Sequence, residues 1–210
     1  MTLVTKTDNF LMRTYLMTIQ TVLGPNGMKS ILNYSHLEKY IDSLPPDNNE
    51  LEIPVEEVQA LFRSLTELFG GKGARGLQLR VGREISRTAL EGRPGIAKAM
   101  KLAAKLVPEA TKMRLALEKL ADQVKESYET QLDVPPVELK EEPDAFFIIH
   151  RVRFESEGVT SETPVCNVFV GMIQYFMEWI TGHPHDVEEL ECKAMGHSAD
   201  VFRVSKAAKE

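Results

Sequence analysis

Apolar residues recur at Phe10, Leu11, Tyr15, Leu16, Ile19, Val22 and Leu23, close to one face of a helix from Asn9 to Gly24. Asp8 or Asn9 is placed to cap it. Gly24-Pro-Asn-Gly27 breaks the pattern, Met28 to Asn33 adds a further helical turn, and Leu44 to Asn49 is a loop. Pro54 opens the next helix, with Glu56 and Glu57 at its positive end. Val58, Leu61, Phe62, Leu65 and Leu68 lie on one side of it as far as Phe69, and Gly70-Gly-Lys-Gly73 stops it. A third helix runs from about Ala74 to Leu90, a fourth begins near Pro94 and a fifth near Pro108. In the fifth, Met113, Leu117, Leu120, Val124 and Tyr128 fall at helical spacing.

The texture changes after Val134-Pro-Pro136. Val137 to Pro143 and Ala145 to Phe154 read as two strands joined near Pro143-Asp144. In the second, Phe146, Ile148, His150, Val152 and Phe154 share one face, while Phe147, Ile149, Arg151 and Arg153 share the other. Glu155 to Thr163 is a polar loop. Pro164 to Thr181 is a sixth helix, apolar almost all round and so expected to be buried on more than one side. Val187 to Ala194 reads as a strand with Leu190, Cys192 and Ala194 on its inner face and Glu189, Glu191 and Lys193 on its outer face. Gly196 turns it into a last strand, Asp200 to Val204. Helices first, then strand-strand-helix-strand-strand, predicts an α+β fold whose antiparallel sheet packs against an N-terminal set of helices. The division expected is an N-terminal helical segment, residues 1–52, acting as a dimerisation arm, and a ligand-binding domain over 53–206.

Composition narrows the function. The chain has 210 residues, 43% hydrophobic and 27% charged, which is an ordinary globular mix. Its net charge of −6 gives no electrostatic footprint for phosphate backbones, so nucleic acid is not an expected partner. The longest apolar run, Ala145 to Ile149, is strand-sized, so no transmembrane segment is expected. The N-terminus lacks the charged start and apolar stretch of a signal peptide, which predicts a cytoplasmic protein with Cys166 and Cys192 reduced.

Most catalytic signatures fail on context. Gly71-Lys-Gly73-Ala-Arg-Gly76 fits G-x-G-x-x-G, but a helix precedes it where a dinucleotide fold needs a strand. Cys166 begins a helix, where the dipole favours a thiolate, yet none of His36, His150, His183, His185 or His197 pairs with it by spacing. Glu56-Glu57, Glu141-Glu142 and Glu188-Glu189 lie in charged stretches and read as solvated faces or first-turn charges. One set stands out. Cys192 on an inward strand face, Asp200 folded back towards it by the turn at Gly196, Cys166 one helix earlier and His150 from the preceding strand offer two sulfurs, a carboxylate and an imidazole, which suit zinc. The spacing is no recognised zinc signature.

Pro164-Val-Cys166, Gly171 and Glu191-Cys192-Lys-Ala-Met-Gly196-His-Ser-Ala-Asp200-Val-Phe202-Arg-Val204 together resemble the V4R (4-vinyl reductase) domain. Gly70 to Gly76 through Arg80-Val-Gly82-Arg83 resembles that family's glycine- and arginine-rich approach to an inner helix. The family includes hydrocarbon-binding proteins and the sensory domains of aromatic-responsive activators, and its fold is similar to that of Golgi-transport tethering-complex subunits. The resemblance implies a dimeric α+β fold around an apolar small-molecule pocket. It also implies zinc held by three cysteines and a glutamate. Cys166 and Cys192 match two of the cysteines and Asp200 stands at the third. The glutamate belongs on the Ala145–Phe154 strand, where His150 is the nearest substitute.

Phe169, Met172, Phe176 and Trp179 exceed what one helix face needs and, facing Phe146 and Ile148, are expected either to line a pocket or to close-pack. Arg80 and Arg83 anchor a carboxylate at its rim or are merely solvated. The function expected is non-enzymatic binding of a small hydrophobic molecule (aromatic hydrocarbon, lipid or tetrapyrrole) as sensor or carrier. Two alternatives stay open: an accessory factor or reductase acting on a tetrapyrrole vinyl group, and a homodimeric interaction scaffold whose N-terminal helices expose Met12, Tyr15 and Met17.

Overall fold

In the computed structural model, residues 5–104, 106–127 and 134–209 are described; Tyr128, expected on the fifth helix, lies outside them. The elements follow in the order β1 (Lys6–Thr7), α1 (Asn9–Tyr34), β2 (Ile53–Pro54), α2 (Val55–Glu91), α3 (Pro94–Ala104), α4 (Glu109–Ser127), β3 (Val137–Glu141), β4 (Ala145–His150), α5 (Asn167–Thr181), β5 (His185–Glu191) and β6 (Asp200–Ala208). Short 3-10 turns occupy Glu38–Tyr40 and Lys193–Met195. This is the α+β arrangement expected. β3, β4, β6 and β5 lie side by side in that order, every neighbouring pair antiparallel.

The two glycine-marked interruptions are kinks inside long helices. Gly24 and Gly70 take φ of 76° and 70° with ψ of 170° and 164°, a backbone shape open to glycine and not to residues with a Cβ. α1 is capped by Asp8, whose side chain accepts from the Leu11 N–H at 2.7 Å.

α1 and both halves of α2 share one apolar core with Val152, Phe154 and Val168. Met12 and Tyr15 sit at its centre, fully buried, and Tyr15 stacks on Phe62 with ring centroids 5.0 Å apart. The expectation that both are surface residues is therefore corrected. α1 turns that face onto α2, and of the three residues only Met17 is exposed. A second core joins α4, α5 and the inner face of the sheet, and includes Phe146, Ile148, Phe169 and Phe202.

α5 carries no exposed residue, as its all-round apolar pattern predicts. It crosses α2 at glycine-to-backbone contact. A Cβ on Gly82 would meet the Val168 carbonyl at 1.9 Å, and one on Gly171 would meet the Leu79 carbonyl at 2.1 Å. No side chain fits at either point, so this pair of glycines sets how closely the helices approach.

β4 ends at His150, short of the strand expected to reach Phe154, but its alternation holds: Phe146, Ile148 and His150 are buried and Phe147 and Ile149 half-buried. β5 departs from the expected alternation. Its buried positions are His185 and Val187, with Glu189 half-buried behind them, and Leu190 is 47% exposed. A register irregularity against β6 between Glu189 and Glu191 shifts the pattern, so that Cys192 is buried as well.

Candidate metal cluster and ligand cleft

Cys166 precedes the first residue of α5. Glu189 comes from β5, Cys192 from the residue after that strand, and Asp200 from the first position of β6, returned by the turn at Gly196. One ligand atom from each of the four lies within 4.8 Å of the others. Cys166, Cys192 and Asp200 are fully buried. The structure thus brings together three of the four residues read from the sequence, adds Glu189 and leaves His150 outside the group. Phasing this strand on Leu190, Cys192 and Ala194 places Glu189 outward, whereas β5 buries His185 and Val187 and turns Glu189 to their side, and the irregularity after Glu189 brings Cys192 inward as well. No sequence signal marks that irregularity.

The carboxylates are held by bonds that leave donor atoms over. Glu189 accepts from the Cys166 N–H at 2.8 Å through Oε2, while its Oε1 is buried and has no hydrogen-bond partner. Asp200 accepts from the Lys193 N–H and from the Ser156 hydroxyl, both at 2.7 Å. Burial pushes the Cys166 thiol well above its usual range, and the Cys192 hydrogen bond and the Glu189 and Asp200 charges push the same way. Burial likewise raises the Glu189 carboxyl. Two sulfurs and two carboxylates packed in one dry space repel one another when ionised, and a divalent cation is the partner that reverses the repulsion. The cluster is capable of coordinating a metal ion.

His150 stands behind this group. Its Nδ1 accepts weakly from the Val152 N–H at 3.3 Å, its Nε2 is buried without a partner, and its ring meets Phe169 edge-on at 5.3 Å. Burial, with help from the Arg153 and Lys193 charges, holds it well below the usual imidazole range, so it is neutral.

The loop after β4 connects this cluster to a cleft. Glu155, 2% exposed, accepts from the Val168 N–H at 3.1 Å at the start of α5 and pairs with Arg153. Glu157 pairs with Lys193, and the Ser161 N–H donates to the Ala194 carbonyl at 2.8 Å. Gln59 on α2 donates to the carbonyls of Phe154 and Glu157. Between the pinned loop, the kinked stretch of α2 and the start of α5 lies a cleft of about 880 Å³. Phe62, Val159, Val165 and Val170 give it apolar walls, Arg63, Lys72 and Arg75 a basic side, and Glu189 is shared with the metal cluster. Among the described residues, no histidine, cysteine, methionine or tyrosine lines it.

The residues expected to line a pocket lie elsewhere. Phe146, Ile148 and Phe169 are buried in the second core, with Phe169 edge-on to Phe202 at 4.8 Å. Phe176 and Trp179 stack on each other at 6.1 Å and, with Met172, pack against the same core. Arg83 pairs with Glu178 at 2.7 Å, and Arg80 borders a smaller hollow beside α1. The cleft was missed because its walls read as a helix stop and a polar loop.

No family model and no curated protein matches the chain. Solved structures do. An H-NOX variant labelled Cs, carrying 4-cyano-L-phenylalanine, superposes with a TM-score of 0.62 at 18% identity, over 96% of this chain and 97% of that one. An H-NOX protein from K. algicida in its unliganded Fe(II) form gives 0.61 at 12% identity, with the same coverage. The phenol-responsive sensory domain of the activator PoxR gives 0.51 at 18% identity, over 77% of this chain and 78% of that one. The V4R resemblance, and with it the 4-vinyl reductase and tethering-complex assignments, is corrected by the near-complete H-NOX superpositions. The motifs behind it are short: they describe a stretch of α2 from Gly70 to Arg83, the start of α5 and the β5–β6 turn, which together occupy a small part of the chain. The fold of this chain is that of the H-NOX proteins.

Proposed function

We propose that the chain is a non-enzymatic binding domain that holds a small, largely apolar molecule in the cleft between α2, the loop after β4 and α5, as sensor or carrier. The observation that carries this reading is the cleft itself. At about 880 Å³ it lies in the size range of small-molecule sites, with an apolar patch of Phe62, Val159, Val165, Val170 and Leu190 set in a wall otherwise rich in polar and charged side chains of both signs that would orient a ligand. Two neighbours in fold support it in kind: one is described as phenol-responsive, and another was studied for haem distortion.

Haem itself is a poor match. Its iron needs an axial donor, ordinarily histidine, cysteine, methionine or tyrosine, and the described residues of the cleft wall supply none. His36, His183 and His197 are exposed, and His150 and His185 are buried in the interior, away from the cleft. An aromatic hydrocarbon, a lipid or a metal-free tetrapyrrole needs no such donor.

The second element of the proposal is a zinc ion on Cys166, Glu189, Cys192 and Asp200. Two sulfurs with two oxygens in a closed buried site suit zinc, and four protein ligands leave no open position for chemistry. Bound there, it would tie α5, β5 and β6 together at the cleft wall. The third element is self-association as a homodimer, favoured by Met17 and Val22 lying exposed on α1.

Solvent extraction of the purified protein followed by mass spectrometry and absorbance tests the ligand, and elemental analysis of the same sample tests the metal. A recurring apolar compound and one equivalent of zinc are expected. An extract matching the blank overturns the binding reading.

A further inference from the structure

α3 stands apart from the rest of the chain in charge. Between Glu91 and Glu109 there are four cations, Arg93, Lys98, Lys101 and Lys105, and no acid, in a chain of net charge −6. The helix is held by one face. Ala104 is buried and Ala97 and Met100 half-buried, against the α2 and α5 side. The opposite face is apolar and uncovered. Ile96, Ala99, Leu102 and Ala103 follow at helical spacing, and Leu106 extends the row past the helix end. Ile96 is 57% exposed, Leu102 64% and Leu106 83%. Lys98 borders this row on one side, and Lys101 lies beyond it towards the held face, its ammonium 5.0 Å above the Trp179 ring. Three large aliphatic side chains turned to solvent along a basic flank are costly for a helix that stays in water.

We propose that α3 is a surface anchor for an anionic lipid bilayer: Ile96, Leu102 and Leu106 enter the acyl boundary while Lys98 and Lys101 meet the head groups. An amphipathic helix with lysine beside its apolar face binds this way. Charge complementarity selects the bilayer, because a second copy of this acidic chain would bring the same cations face to face in a symmetric contact. The attachment is peripheral, since no helix among the described residues is long and apolar enough to cross a membrane. The proposal stands independently of what the cleft binds.

Flotation of the full chain with vesicles at low ionic strength tests it, comparing phosphatidylcholine alone with phosphatidylcholine mixed with phosphatidylglycerol. The chain is expected to float with the mixed vesicles only, and added salt is expected to release it. Lys98→Gln with Lys101→Gln is expected to weaken partitioning roughly tenfold or more. Leu102→Ser with Leu106→Ser is expected to abolish it. Both leucines are already exposed, so circular dichroism should be unchanged. Absence of flotation with the mixed vesicles, or equal flotation of the leucine variant, overturns the proposal. So does a dimer seen by light scattering that the leucine variant dissociates, which would assign the face to a second copy of the chain.

Discussion

The two sides of Glu189 differ in kind. On one side its carboxylate meets Cys166, Cys192 and Asp200 in a closed, buried group built from α5, β5 and β6. On the other it borders an open cleft with walls of mixed character. The closed side depends on a few atoms held at fixed positions, whereas the open side depends on where whole elements stop. Its shape comes from the kink at Gly70, the loop after β4 and the start of α5. Moving one side chain should destroy the cluster, while emptying or filling the cleft takes a change in volume.

The sharpest break in that comparison is at the α2–α5 crossing, which holds both sides in place. Gly171→Val and Gly82→Val each drive a Cβ into backbone, and each is expected to destabilise by at least about 4 kcal/mol or to prevent folding. Gly76→Ala is the control: a Cβ there meets nothing within 4 Å, and alanine in a helix is favoured by about 1 kcal/mol. Denaturant unfolding reads both.

Metal removal acts on the closed side alone. Chelation of the zinc-loaded protein is expected to lower the melting temperature by about 10 °C. Cys192→Ser and Asp200→Asn are expected to lose the metal in elemental analysis. Because the Cys166 thiol and Glu189 carboxyl are both pushed up in the metal-free cluster, zinc uptake should release protons and tighten as pH rises. Calorimetry in buffers of different ionisation heat measures this, and uptake without proton release would contradict the ligand set.

A smaller effect is expected behind the cluster. His150 has its folded-state pKa held below the unfolded value, so its contribution is present above about pH 6.5 and is lost as pH falls below that. Stability should decline by up to about 1.4 kcal/mol per pH unit over that acid range. His150→Gln should flatten this decline in a pH series of unfolding curves; a variant curve parallel to wild type would show that His150 does not titrate on unfolding.

The smallest effect lies away from both sides. Arg83 and Glu178 form an ion pair with side chains 38% and 43% exposed. Glu178→Gln is expected to change stability by less than about 1 kcal/mol and to leave the extractable ligand unchanged. A loss of ligand would return Arg83 to the binding site that the sequence assigns it.

What was legible in the sequence follows from what each feature depends on. The helical segments, the glycine interruptions, the β4 alternation and the burial of α5 depend on residue type at fixed spacing and are readable, although the interruptions read as helix ends and are kinks inside the single long helices α1 and α2. Cys166, Cys192 and Asp200 were readable because a glycine turn returns one strand beside the other. Glu189 was not, because the inward Cys192 sets the wrong phase for the strand: an irregularity against β6 separates the two residues, so both face inward despite their odd and even positions. The cleft was not, because it lies between a kinked stretch of α2 and a polar loop that meet only in three dimensions, through bonds such as Gln59 to the carbonyls of Phe154 and Glu157. The V4R resemblance misleads because it rests on short motifs, strongest at the start of α5 and the β5–β6 turn with one glycine- and arginine-rich stretch in α2, extended to the whole fold.

The central claim is that the cleft holds a small molecule, and native mass spectrometry of the wild type beside Gly71→Trp tests it most directly. Gly71 lines the cleft, and a Cβ there meets nothing within 4 Å, so an indole can enter the space without disturbing the helix. The wild type should carry a bound apolar species that the variant lacks, with both chains equally folded. A wild type that flies bare, or a variant that keeps the same species, contradicts the account.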